Sequence, residues 1–192
     1  MEKSVFTFKV KDMVEIAMFC ALAIVLDRFL KIPLGPTGGS LNLAMVPIMF
    51  INLRHGWFKG FIAGGIIFGF ITCLLDGYGL ITYPLEYFVA FGSSALLGVC
   101  ARYINNNYNS KKGVTISYLL VVCSISLWAT IRFFACCIDS VLIYDYTFSA
   151  AAIYNVTYVY FSAIAVAIIM LAMLHLIVKL NKSYPTTYLK NN

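Results

Sequence analysis

The chain consists of long apolar runs separated by short polar stretches. A run of ~20 apolar residues is long enough to cross the hydrocarbon core of a bilayer as a helix. The pattern predicts six such spans, at residues 13–29, 41–52, 56–75, 81–103, 114–138 and 150–180. The second span is short and contains Pro47, so a kink or break is expected there. The predicted fold is an all-α integral membrane bundle of about six transmembrane helices.

Composition agrees with this pattern and limits the number of domains. Of the 192 residues, 61% are hydrophobic and 11% are charged, whereas soluble domains have about 45–50% apolar and about 25% charged residues. Six spans with short connections use almost the whole chain. We therefore expect one domain, 1–192, with no separate catalytic or nucleotide-binding unit.

Basic residues predict the orientation of the bundle. If the N-terminus is cytoplasmic, the outer ends of the spans hold only Arg28 and Lys31. The predicted inner segments hold Lys3, Lys9, Lys11, Arg54, Lys59, Arg102, Lys111, Lys112, Lys179, Lys182 and Lys190. This asymmetry places both termini in the cytoplasm. Because the basic residues are scattered over separate loops, the net charge of +6 does not indicate nucleic-acid binding.

The predicted outer side has acidic and aromatic character. Glu86 lies near the outer end of the fourth span, where a carboxylate beside hydrocarbon is a candidate functional group, although a hydrated interfacial acid is an alternative. Arg132 in the fifth span could pair with Glu86, reach the interface or contact a ligand. Asn155, near the outer start of the sixth span, offers an amide for hydrogen bonding. Such a surface suits a flat cationic ligand.

Motifs of several enzyme classes are absent from the sequence. There is no phosphate-binding loop and no H-E-x-x-H zinc motif. The two histidines, His55 and His175, lie near the predicted inner side and cannot form a metal site alone. The six cysteines include no C-x-x-C pair and suit helix packing. The sequence therefore predicts no catalytic site, metal or cofactor.

Small residues repeat at helical spacing in two spans. Ala17 and Ala21 form a strip in the first span, and the third span carries Gly60, Gly64, Gly65 and Gly69. Such strips allow a second helix to approach closely. That helix could belong to the bundle or to a partner protein.

Five sequence stretches together resemble a transporter family. They are 15–23 (EIAMFCALA), 38–48 (GGSLNLAMVPI), 53–60 (LRHGWFKG), 85–87 (LEY) and 153–155 (IYN). In order and spacing they resemble the substrate-binding (S) component of energy-coupling factor (ECF) vitamin transporters, most closely the thiamine-specific group. The resemblance implies a high-affinity vitamin-binding subunit of a bacterial cell-membrane importer, for thiamine or a related thiazole or pyrimidine compound.

The resemblance also implies partners and site residues. S components dock on a membrane coupling subunit that carries two cytoplasmic ATPases, and the alanine strip of the first helix, here Ala17 and Ala21, is the docking face. ATP hydrolysis then belongs to the ATPases and not to this chain. The implied ligand-binding residues are Glu86, Tyr87, Asn155, Arg132, Tyr78 and Tyr144.

Several positions depart from the thiamine-specific pattern. Cys136 stands where thiamine binders usually have histidine, Ser140 replaces a glycine, Tyr144 a tryptophan and Ala150 a tyrosine. Three alternatives therefore stay open. The first is an S component for another vitamin such as riboflavin, the second a stand-alone transporter that uses Glu86 as a proton site, and the third a membrane assembly protein without ligand.

Overall fold

The computed structural model describes residues 3–30, 32–33 and 40–189. Lys31 and Lys190 of the charge argument lie outside these ranges, as do Gly38 and Gly39 of the family stretch. The described part is all-α apart from one pair of very short strands, β1 (Ile32–Pro33) and β2 (Ser40–Leu41), which pair antiparallel.

Six helices follow one another along the described chain. Their bounds are α1 Lys3–Phe6, α2 Val10–Phe29, α3 Met45–Asp76, α4 Tyr83–Asn107, α5 Lys111–Tyr144 and α6 Phe148–Ser183. Helices α3 to α6 are long and apolar enough to cross a membrane. The six predicted spans all fall on helices, and the second and third both fall on α3.

Helix α3 is bent where these two predicted spans meet. Gly56 has φ 82° and ψ 176°, a backbone conformation that is almost confined to glycine. A Cβ atom at this position would come within 2.5 Å of the Tyr188 ring. The bend therefore divides α3 into two helical segments, residues 45–55 and 57–76.

Helices α3 and α4 approach each other closely through the glycines of α3. A Cβ atom on Gly65 would lie 3.1 Å from the carbonyl oxygen of Phe88, and one on Gly69 would lie 3.2 Å from that of Tyr87. The facing segments are both π-helical, at Ile62–Phe68 in α3 and Tyr83–Val89 in α4. The glycine strip thus packs inside the bundle.

A buried polar network closes one end of the bundle. Lys59 is fully buried and donates to Asp12 at 2.7 Å. Arg54 is paired with Glu15 and also donates to Asn181 at 2.9 Å. These contacts join α2, α3 and α6 at the end where α5 begins. The turn between α5 and α6 lies at the opposite end.

Candidate ligand-binding site

A cavity of about 350 Å³ opens at the end of the bundle where α5 turns into α6. All six residues predicted from the sequence line it, although they come from α4, α5, α6 and the loop after α3. They are Tyr78, Glu86, Tyr87, Arg132, Tyr144 and Asn155. The structure thus brings the predicted set together in one place.

Glu86 and Tyr87 reach the cavity from the π-helical start of α4. A π-helix has a wider turn than an α-helix, so a different set of side chains shares each face of the helix. Such segments are frequent at functional sites. Tyr87 is buried, and its hydroxyl donates to Asp76 at 2.9 Å. Asp76 in turn accepts from Arg28 at 2.5 Å. This chain of contacts fixes the wall of the cavity between α2, α3 and α4.

Arg132 lines the same cavity as Glu86 but forms no ion pair with it within the described residues. Its guanidinium lies over the rings of Phe91 and Trp128, 5.0 Å and 5.6 Å from their centroids. It interacts with Glu86 only through longer-range electrostatics. Of the options that the sequence left open, the direct salt bridge is not formed.

Asn155 is buried, and its amide is held by neighbouring groups. Its Nδ2 atom donates to the carbonyl oxygen of Ala151 at 2.9 Å and to the Ser140 hydroxyl at 3.3 Å. Its Oδ1 atom accepts from the hydroxyl of Tyr158. Since these contacts fix the orientation of the amide, Asn155 presents a preorganised polar edge to the cavity.

Tyrosines form the rim of the cavity. Tyr78, Tyr144 and Tyr146 are exposed, and the rings of Tyr144 and Tyr146 lie 6.3 Å apart. Deeper in the cavity, the rings of Tyr154 and Tyr158 are 5.5 Å apart in an edge-to-face arrangement. Aromatic faces at both depths can contact a planar ring.

Ten further residues line the cavity and were not among the predicted site residues. They are Asp27, Ser40, Asn42, Thr72, Asp76, Phe91, Ser140, Tyr146, Tyr154 and Tyr158. Helical spacing could have indicated Tyr158, which follows Asn155 by three positions. The positions of Asp27 and Asn42 depend on how α2 and the strand pair fold over the cavity, for which the sequence offers no local signal.

The charges of the lining favour a cation. Carboxylates of Asp27, Asp76 and Glu86 line it; Arg28 pairs with the first two, which leaves Glu86 without an ion pair among the described residues. Burying a carboxylate is costly unless an opposite charge or donor accompanies it. A flat positively charged ligand would supply that charge, and the tyrosines would contact its rings.

Ala17 and Ala21 lie away from the cavity, on the exposed face of α2.

The positions that depart from the thiamine-specific pattern differ in their relation to the cavity. Cys136 is buried and Ala150 is exposed, and neither lines the cavity. Ser140 does line it. Of the positions that depart from the thiamine-specific pattern, Ser140 and Tyr144 therefore act directly on the shape of the cavity.

The fold and the cavity define an integral membrane helical bundle that is built to hold a small ligand at one end. Comparison with known proteins identifies the family. Residues 13–184 match the thiamine transporter protein family (Thia_YuaJ), and the chain belongs to that family.

Two relatives agree with this assignment. The chain is 30% identical to the thiamine transporter ThiT of Bacillus subtilis, in a match that covers 64% of this chain and 65% of that protein. The match thus spans slightly less than two thirds of this relative. The structure of ThiT from Listeria monocytogenes superposes with a TM-score of 0.67 at 22% identity, over 93% of this chain and 97% of the other. The chain therefore has the ThiT fold.

Proposed function

We propose that this protein is the thiamine-binding S component of an ECF-type vitamin importer. The family match and the ThiT fold support this function. The observation that carries it is the cavity, in which Glu86, Arg132 and Asn155 lie among tyrosines at one end of an apolar bundle. Thiamine carries a permanently charged thiazolium ring and a flat aminopyrimidine ring, and the cavity offers carboxylates and aromatic faces for both.

In this proposal the site residues have separate roles. Glu86 neutralises the positive charge of the ligand, and Asn155 accepts or donates hydrogen bonds at the edge of a ring. Tyr87, Tyr78 and Tyr144 contact the rings, and Arg132 holds the opposite side of the cavity. The family relationship favours thiamine over riboflavin, and it favours a transporter over an enzyme or an assembly protein.

The bundle is proposed to sit in a bacterial cell membrane as one domain of six spans, with both termini in the cytoplasm. The bend at Gly56 supports this count because it divides α3 into two segments that match two predicted spans. The polar end, with Arg54, Lys59 and Lys182, then faces the cytoplasm, and the cavity faces outward. Ligand capture from outside follows from this orientation.

Transport is proposed to depend on a membrane coupling subunit and two cytoplasmic ATPases. Ala17 and Ala21 are the proposed docking contacts, since both are exposed and small enough to let a partner helix approach α2. The chain itself would bind the vitamin and would not hydrolyse ATP.

Titration of the purified protein with a panel of vitamins tests the function. We expect tight binding of thiamine and none of riboflavin, measured by calorimetry and by tryptophan fluorescence. Trp128 should report binding because Arg132, which lines the cavity, lies over its ring. A Trp57→Phe variant leaves Trp128 as the single tryptophan and isolates that signal. Binding of another vitamin in preference to thiamine would contradict the proposal.

A further inference from the structure

Asp139 is a buried acid behind the cavity wall. Its side chain is on α5 and is 1% exposed, and it does not line the cavity. Neither carboxylate oxygen accepts a hydrogen bond from an N–H or O–H group of the described residues. The carboxyl group instead lies beside that of Glu86. Two acids, one of them in the ligand site, are therefore in contact.

The described polar groups around Asp139 do not donate a hydrogen bond to it. Ser140 donates to the carbonyl oxygen of Cys136 at 2.8 Å, and the amide of Asn155 is held by Ala151 and Ser140. Arg132 lies over aromatic rings instead of pairing with either acid. No N–H or O–H group of the described residues donates to Asp139 and so stabilises two ionised carboxylates side by side, and a hydrogen bond between two carboxyl groups requires a proton on one of them.

We propose that Glu86 and Asp139 share one proton in the empty site and that the bound cation takes the place of that proton. This inference rests on the proposed function. A thiazolium group that reaches Glu86 supplies the positive charge that the proton supplied before, so the acid O–H bond breaks and the proton leaves to solvent. Asp139 is thus a positioning residue, which acts on the ligand through Glu86.

Other charged or titratable groups near the pair do not supply such a proton at about pH 6 to 7. Asp76 is held by Arg28 and Tyr87, and Arg132 stays protonated. The remaining neighbours are uncharged thiols and phenols. They are Cys73, Tyr87, Cys136, Tyr144, Tyr154 and Tyr158.

The consequence is proton release on binding, with an affinity that depends on pH. Calorimetry of thiamine binding in buffers of different ionisation enthalpy measures the number of protons released. We expect release of up to one proton, and an affinity that rises by up to about tenfold per pH unit between about pH 6 and about pH 8. The Asp139→Asn variant offers Glu86 an N–H donor in place of the shared proton. We expect it to release almost no proton and to bind with an affinity that changes little with pH.

The matched control is Asp145→Asn, the same chemical change at an exposed aspartate six residues further along the chain. It should release the same number of protons as the wild type. Thiamine binding by the wild type without proton release, or equal release by Asp139→Asn, would overturn the inference and leave the proposed function intact. No binding of thiamine by the wild type would reject the proposed function instead.

Infrared difference spectroscopy of the unliganded protein tests the shared proton without any ligand. Titration from about pH 8 to about pH 6 should show the C=O band of a protonated carboxylic acid in the wild type. The band should be lost in Asp139→Asn and in Glu86→Gln. A wild-type spectrum without this band would overturn the inference whatever the protein binds.

Discussion

Glu86 is the side chain on which the charge of the site depends. It lines the cavity together with Arg132, and none of the described residues forms an ion pair with it. The carboxylate therefore keeps its capacity to neutralise a ligand. A site built in this way should discriminate strongly between a cation and a neutral molecule of the same shape.

Replacement of Glu86 by Gln should weaken thiamine binding by about 1.5–3 kcal/mol, or roughly ten- to hundredfold in Kd, because a hydrogen bond to a charged group is lost while the shape is kept. Calorimetry at fixed pH measures the change. Asp145→Asn serves as the control, since it removes an exposed negative charge outside the cavity. An unchanged affinity would remove Glu86 from the binding site.

Single residues also show what the sequence could and could not indicate about the site. The six residues taken from the family resemblance all line one cavity. Asp139 is not among them, although it follows Arg132 by seven positions and so lies on the same helix face. Its contact with Glu86 depends on how α4 packs against α5. Such a contact between distant segments cannot be read from either segment alone.

At the level of elements, the long apolar helices were predictable and their irregularities were not. Each predicted span falls on a helix, because an apolar run in a bilayer must satisfy its backbone hydrogen bonds internally. The prediction placed the break between spans two and three near Gly56, and it attributed a possible kink to Pro47. In the structure the bend lies at Gly56, and Pro47 lies within the first turn of α3, where proline is tolerated.

Substitution of Gly56 by Ala should destabilise the bundle by the sum of two effects. The backbone conformation at Gly56 costs a non-glycine residue about 1–3 kcal/mol. The overlap of the new methyl group with the ring of Tyr188 adds about 1–3 kcal/mol. Thermal unfolding in detergent measures the loss.

The matched control for this prediction is Gly77→Ala. Gly77 also has a positive φ, of 76°, but no atom of the described residues lies within 4 Å of the position that a Cβ atom would take. It should therefore show the backbone cost alone and unfold at a higher temperature than Gly56→Ala. Equal stability of the two variants would contradict the prediction that the bend at Gly56 is the more costly position.

The whole molecule has two chemically different ends. The cavity end is acidic and rich in tyrosine, whereas the other end holds Lys59 with Asp12 and Arg54 with Glu15 in buried pairs. Removal of one partner from such a pair is costly, so this end should behave as a rigid unit that ties α2 to α3. A rigid connection of this kind suits a bundle that moves as one body while a partner holds α2.

Ala17 and Ala21 connect this architecture to transport. Both lie on the exposed face of α2, the helix that the buried pairs fix to the bundle. If a coupling subunit docks there, Ala17→Trp should block thiamine uptake by steric bulk and leave thiamine binding in detergent unchanged, since the cavity lies elsewhere. Uptake is measured in proteoliposomes that contain the coupling subunit and both ATPases.

Ala172→Trp provides the matched control for this experiment. It makes the same substitution at an exposed alanine that lies on α6 and not on α2. It should support uptake at the wild-type rate. Normal uptake by Ala17→Trp would exclude the alanine strip as the docking face. Uptake driven by a proton gradient without any ATPase would reject the ECF mechanism itself and would favour the alternative in which Glu86 carries a proton through the membrane. In this proposal Ala17→Trp removes transport and leaves binding intact, which separates the docking contact from the ligand site.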